Sequence, residues 1–153
     1  MELTQNKSFL SKPLFWELFG LAVVVGILNS FAVAYNLYWS LYEFDSLVHF
    51  LAGATVAIFF LWLYFFSGFF NPQKRNLVDF IIVALVGSVF IAVAWEVYEL
   101  ILGEVVIQKT QYQYDTTLDF IMDILGIVGA SFYGYLRELK NNKKEIQMET
   151  ISL

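Results

Sequence analysis

Residues 77–102 read LVDFIIVALVGSVFIAVAWEVYELIL, and no charge falls between Asp79 and Glu96. A helix needs about 20 mostly apolar residues to cross a hydrocarbon core about 30 Å thick, because lipid offers its backbone no hydrogen-bond partner. This stretch is long enough to span a membrane, and residues 13–35, 44–66 and 116–136 give three more runs of the same kind. The expected fold is therefore all-α: a polytopic membrane protein with one domain, residues 1–136, built as a four-helix transmembrane bundle. Residues 137–153 read as a polar tail. Composition points the same way, since 15% of the 153 residues are charged, against about a quarter in soluble domains.

The breaks between the runs carry turn chemistry. Pro13 suits a helix start, and Asn71-Pro72-Gln73-Lys74-Arg75-Asn76 reads as a turn between the second and third spans. Lys7, Lys12, Lys74, Arg75, Arg137, Lys140, Lys143 and Lys144 then share one side of the membrane, while Lys109 alone lies on the other. That bias puts both termini in the cytoplasm and the 36–43 and 103–115 loops outside. Lys12, an apolar run and Ala32-Val33-Ala34 mimic a cleavable signal peptide, but the apolar run is long for one. Tyr35, Tyr38, Trp39, Tyr42, Tyr112 and Tyr114 fall at the outer interface, where amphipathic rings act as anchors.

Eight acids gather at that outer side: Glu43, Asp45, Glu96, Glu99, Glu104, Asp115, Asp119 and Asp123, together with the only histidine, His49. Asp45 and His49 are i,i+4, Glu96 and Glu99 are i,i+3, and Asp115, Asp119 and Asp123 are i,i+4,i+8, so each set makes one stripe on its helix. The stripes continue with small residues: Gly53 on the second span, Ala92 and Ser88 on the third, and Gly126, Ala130 and Gly134 on the fourth. Small residues at this spacing let membrane helices approach closely. The acid-bearing faces are thus expected to be packing faces directed away from lipid. Asn29, roughly 10 Å below the outer end of the first span, is placed to join them.

An ionised carboxylate at the centre of a membrane helix costs about 2.5 to 3.5 kcal/mol, and less near the interface. Four of them (Glu96, Glu99, Asp119 and Asp123) would cost a sum comparable to a whole protein's stability, about 10 kcal/mol. No Lys or Arg lies at their depth to pair with them. Three arrangements answer this: a bound cation, protonated or water-solvated acids, and helix capping, for which Asp45 and Asp115 are placed. The cation is favoured, because several carboxylates and one imidazole form a mainly oxygen donor set suited to Mg²⁺, Mn²⁺, Ca²⁺ or Fe²⁺, with Zn²⁺ admissible. Asp45, His49, Glu96, Glu99, Asp119 and Asp123 are the expected ligands. Absence of cysteine excludes thiolate metal sites, disulfides and thiol nucleophiles.

The ordered segments Phe44-Asp45-Ser46-Leu47-Val48-His49-Phe50-Leu51, Trp95-Glu96-Val97-Tyr98-Glu99 and Asp115-Thr116-Thr117-Leu118-Asp119-Phe120-Ile121-Met122-Asp123-Ile124-Leu125-Gly126 resemble the YjdF-type bacterial inner-membrane proteins. They are similar, more distantly, to the VanZ-like family linked to glycopeptide resistance, from which this chain departs by carrying acids at Glu99 and Asp123 where amides are expected. The resemblance spans roughly residues 44–135. It implies a bacterial cytoplasmic-membrane location and a shared site at the same six residues, and names no reaction.

Three functions fit these residues. A metal-dependent hydrolase or transferase would act on a lipid or lipid-linked head group at the outer leaflet, with Glu96 or His49 as the general base. A cation or proton carrier would use the same intramembrane acids, yet the three faces offer no deeper acid until Asp79 and Glu17 near the inner side. A structural or partner-binding protein would use the cluster as a staple. Nucleophile triads, phosphate loops and dinucleotide fingerprints are absent, and nucleic acid is not an expected partner because the few cations are explained by topology.

Overall fold

The computed structural model describes residues 9–70, 72, 73, 75–102 and 112–151. A short 3-10 turn at Phe9–Ser11 leads into α1 (Phe15–Tyr35), a one-turn α2 (Leu37–Ser40), α3 (Tyr42–Leu61) with a π-helical turn at Trp62–Phe66, α4 (Leu77–Leu102) and α5 (Tyr112–Ile151). The protein is all-helical, with no strand among the described residues. Four of its helices are long and apolar enough to cross a membrane: Phe15–Tyr35, Glu43–Phe66, and the segments Leu77–Trp95 of α4 and Thr116–Met148 of α5.

Local chemistry sets most of the ends. Leu14 takes a left-handed φ of 65° as the N-cap of α1 and is wholly buried, so Pro13 stands before the cap and not on the first helical position that the sequence suggested for it. Asn36 closes the same helix at φ 54°, a conformation Asn tolerates better than most residues. Before α4, Asn76 and Asp79 exchange hydrogen bonds. The Asp79 N–H donates to Asn76 Oδ1 at 3.0 Å and the Asn76 N–H donates to Asp79 Oδ2 at 3.4 Å, in the manner of a capping box. The π turn closes with the Ser67 N–H donating to the Trp62 carbonyl at 2.7 Å.

Helix α5 is longer than the apolar run within it. No glycine or proline follows Gly134, and the Lys, Arg, Glu, Leu and Met residues beyond favour helix. Residues 137–151 therefore extend the same helix instead of leaving it at Leu136. The whole element of 40 residues is about 60 Å long at 1.5 Å per residue, twice the thickness of a hydrocarbon core.

Helix α3 packs most extensively against α5, α4 leans on both, and α1 rests on α3. The core between them holds Leu61, Phe65, Phe66, Phe80, Ala84, Ile127 and Ala130, with the Phe65 and Phe80 rings stacked at 4.1 Å. Outward faces are apolar as well: Phe19, Ile27 and Phe31 of α1 and Val86, Phe90 and Val93 of α4 are exposed. A monomeric soluble protein rarely tolerates continuous apolar surface on this scale, whereas lipid solvates it.

Polar contacts concentrate at the end of the bundle where α1 begins. Lys12 Nζ donates to the Ser67 carbonyl, a cation on the carbonyl end of a helix. Arg137 Nη2 donates to Glu17 Oε1, tying α5 to α1. Arg75 Nη1 donates to Glu138 Oε1 at 3.0 Å, tying the start of α4 to α5.

Candidate metal centre

At the opposite end, α3 carries Asp45 and His49 as its fourth and eighth residues, and α5 carries Asp119 and Asp123 as its eighth and twelfth. What brings them together is the absence of two side chains one turn further in. A Cβ added to Gly53 would lie 2.6 Å from the Asp123 carbonyl oxygen, and one added to Gly126 would overlap the Phe50 carbonyl oxygen. The two backbones touch there, as the small-residue stripes predict. The longer side chains above that contact have no room except between the helices, so His49 meets Asp119 and Asp123 across the interface.

The imidazole is ringed by carboxylates. His49 Nε2 lies 3.7 Å from Asp45 Oδ1 and 3.8 Å from Asp119 Oδ2, while Nδ1 lies 3.5 Å from Asp123 Oδ1. His49 and Asp119 are buried, at 6% and 4% exposure. Ligand atoms of Asp45, His49 and Asp119 fall within 4.8 Å of one another. Donors bound at about 2.0 to 2.4 Å stand at most about 4.8 Å apart across a shared ion, so this spacing is compatible with a common cation. One imidazolium could balance only one of the three carboxylates.

The two ring nitrogens divide the expected ligands into two kinds. Asp45 and Asp119 share the Nε2 side. Asp123 stands on the Nδ1 side, where a carboxylate typically fixes the tautomer and orientation of a metal-bound imidazole. Asp45 is also the fourth residue of α3, inside the N-cap position at Leu41, with Oδ1 turned toward His49.

Other residues singled out from the sequence have different outcomes. Glu96 and Glu99 lie on the last turns of α4 and Asp115 on the first turn of α5, but their side chains lie outside the described residues, as do Glu104 and most of the 103–115 loop. Glu43 is exposed. Asn29 Oδ1 accepts a hydrogen bond from the Tyr38 hydroxyl at 2.7 Å, which gives Tyr38 a specific partner in addition to its interfacial position. Tyr35 is exposed and stacks on Phe31. The side chains of Trp39, Tyr42, Tyr112 and Tyr114 lie outside the described residues.

Sequence reasoning missed Glu138. It is 2% exposed, Arg75 holds one of its oxygens, and Oε2 is buried with no hydrogen-bond partner among the described residues. The signal was available: the i,i+4 series Gly126, Ala130, Gly134 continues to position 138, so Glu138 had to share the packing face.

The resemblance to YjdF-type proteins is supported by comparison with known families, whereas the VanZ-like resemblance finds no such support. No curated protein and no solved structure matches significantly. All three segments that carried the resemblance fall inside the family match, and the chain belongs to the family of predicted membrane proteins DUF2238, matched over residues 10–140.

Proposed function

We propose that His49, Asp45 and Asp119 bind a divalent cation at the extracytoplasmic end of the bundle, and that the bound ion serves a reaction on a lipid or lipid-linked head group. The observation that carries this reading is a single buried imidazole with three carboxylates at 3.5 to 3.8 Å, drawn from two helices. The donor set is oxygen-rich with one nitrogen, which suits Mn²⁺, Mg²⁺ or Fe²⁺, admits Zn²⁺, and accommodates Ca²⁺ if further oxygens join. Glu99 is assigned to complete it and Glu96 to act as base, since His49, coordinating through Nε2 with Nδ1 facing Asp123, has no lone pair left for proton abstraction. A cation at this point polarises a phosphoryl oxygen or activates water.

Depth supports a head-group substrate. His49 lies six residues inside the span that begins at Glu43, and Asp119 three inside the span that begins at Thr116. These positions are about 9 and 5 Å below the ends of their spans, within reach of lipid phosphates and far from the bilayer centre. The eight-to-one distribution of Lys and Arg supports both termini on the cytoplasmic side, which directs the site to the outer leaflet.

Elemental analysis of the purified full-length protein after equilibration with Mn²⁺ or Zn²⁺ and dialysis tests the reading. The expected stoichiometry is about one ion per chain, falling below about one tenth in His49→Ala. A wild-type protein that retains no divalent ion would overturn it. Given metal, Glu96→Gln should abolish turnover of a phospholipid or lipid-linked phosphate while the ion is retained.

A further inference from the structure

The far end of the bundle from His49 carries a second polar feature that the metal centre does not use. Lys12, Trp16 and Glu17 at the start of α1 and Arg137, Lys140 and Lys144 of α5 line a cavity of about 610 Å³. Four cations face one carboxylate there. Arg137, Lys140 and Lys144 recur at i, i+3 and i+7, so α5 presents them on one face. Glu17 is already engaged, accepting from Arg137 and from the Tyr133 hydroxyl at 3.3 Å. Among the described residues the Arg137 Nε is buried with no hydrogen-bond partner, and Lys140 and Lys144 are exposed. The cavity therefore has a positive excess.

Glu17 is also a wall of a second cavity. This groove of about 400 Å³ between α1, α3 and α5 is almost wholly apolar, lined by Leu21, Leu51, Ile58, Gly129 and Tyr133 among others. From Ile58 to Leu51 it follows α3 for about 10 Å. Gly129 forms part of its wall, and a Cβ built there meets nothing within 4 Å. A basic chamber thus adjoins an apolar trough, with the exposed indole of Trp16 at the rim of the chamber, where such rings favour the membrane interface.

We infer that the two cavities together hold one anionic phospholipid, with its phosphate among Lys12, Arg137, Lys140 and Lys144 and an acyl chain in the groove beside Gly129. A free phosphate ion would use only the first cavity, and a neutral lipid would gain only from the second. The joint geometry selects a molecule that has both a negative head and an apolar tail. This inference does not depend on metal at His49.

Native mass spectrometry of the full-length protein in detergent micelles, titrated with dioleoyl phosphatidylglycerol or dioleoyl phosphatidylcholine, tests it. Wild type should retain one phosphatidylglycerol with an apparent affinity well above that for phosphatidylcholine. Lys140→Gln with Lys144→Gln should lower phosphatidylglycerol affinity by about thirtyfold, from two lysines each acting near an anionic head group. Gly129→Leu, at a wall of the groove where a Cβ meets nothing within 4 Å, should weaken both lipids. Both variants alter exposed positions, and unchanged circular dichroism melting would verify the fold. Equal retention of the two lipids, or phosphatidylglycerol binding untouched by both variants, would overturn the proposal. So would displacement of phosphatidylglycerol by equimolar inorganic phosphate, which would make the chamber a free-anion site.

Discussion

Two ion pairs at the basic end look alike and differ in consequence, because burial sets the cost of an orphaned charge. Glu138 is 2% exposed and Arg75 is its partner at 3.0 Å. Removing one partner of a buried pair leaves a charge that neither water nor protein satisfies, so Arg75→Ala should lower stability by about 3 kcal/mol. Glu17 and Arg137 both reach solvent, and Arg137→Ala should cost less than about 1 kcal/mol. Thermal unfolding in one detergent, with both variants side by side, checks the ranking; equal losses would contradict it. A similar split is expected at the proposed metal centre. His49→Ala should abolish binding, whereas Asp123→Ala, which on the proposed reading removes the orienting partner of Nδ1, should weaken Mn²⁺ by about ten- to a hundredfold as read by calorimetric titration. Equal losses would make Asp123 a direct ligand.

Among the elements, the α3–α5 pair decides whether the site exists. Gly126 sits against the Phe50 backbone and Gly53 against Asp123, so neither position admits a side chain without moving a helix. Gly126→Leu should destabilise the bundle by at least about 3 kcal/mol and, by parting His49 from Asp119, should also lose the metal. Gly20→Leu, where a Cβ meets nothing within 4 Å, is the matched control and should do neither. This pairing was legible in the sequence, since Asp119, Asp123, Gly126, Ala130 and Gly134 lie on one stripe at helical spacing. Helix boundaries were less legible. Asp45 resembled a cap because acids near a helix start commonly are caps, but its place within α3 depends on where the chain turns after α2. The end of α5 was hidden because charge marks where lipid stops and not where helix stops: Arg137, Glu138 and Lys140 favour helix as well as water.

Taken as a whole, the molecule is a polarised bundle, with a cluster of carboxylates and the imidazole at one end and, among the described residues, its cations at the other. Its membrane orientation is open to a direct test because the chain has no cysteine. In Ser40→Cys, an impermeant maleimide should label intact spheroplasts. In Asn142→Cys it should label only after lysis, and the reverse pattern would invert the topology. Four spans and the acidic end were readable from composition, length and spacing. The basic chamber was not, because Lys12 and Lys144 line one cavity only when a helix that leaves the apolar run keeps its direction past the start of α1. That continuity has a geometric consequence. Asp123 and Arg137, on one unbroken rod, are fourteen residues apart, about 21 Å along the axis. Each added or deleted residue between them would turn one end about 100° relative to the other. The two ends of the molecule are therefore in phase, and evolution can lengthen or shorten this helix only in steps that restore that phase.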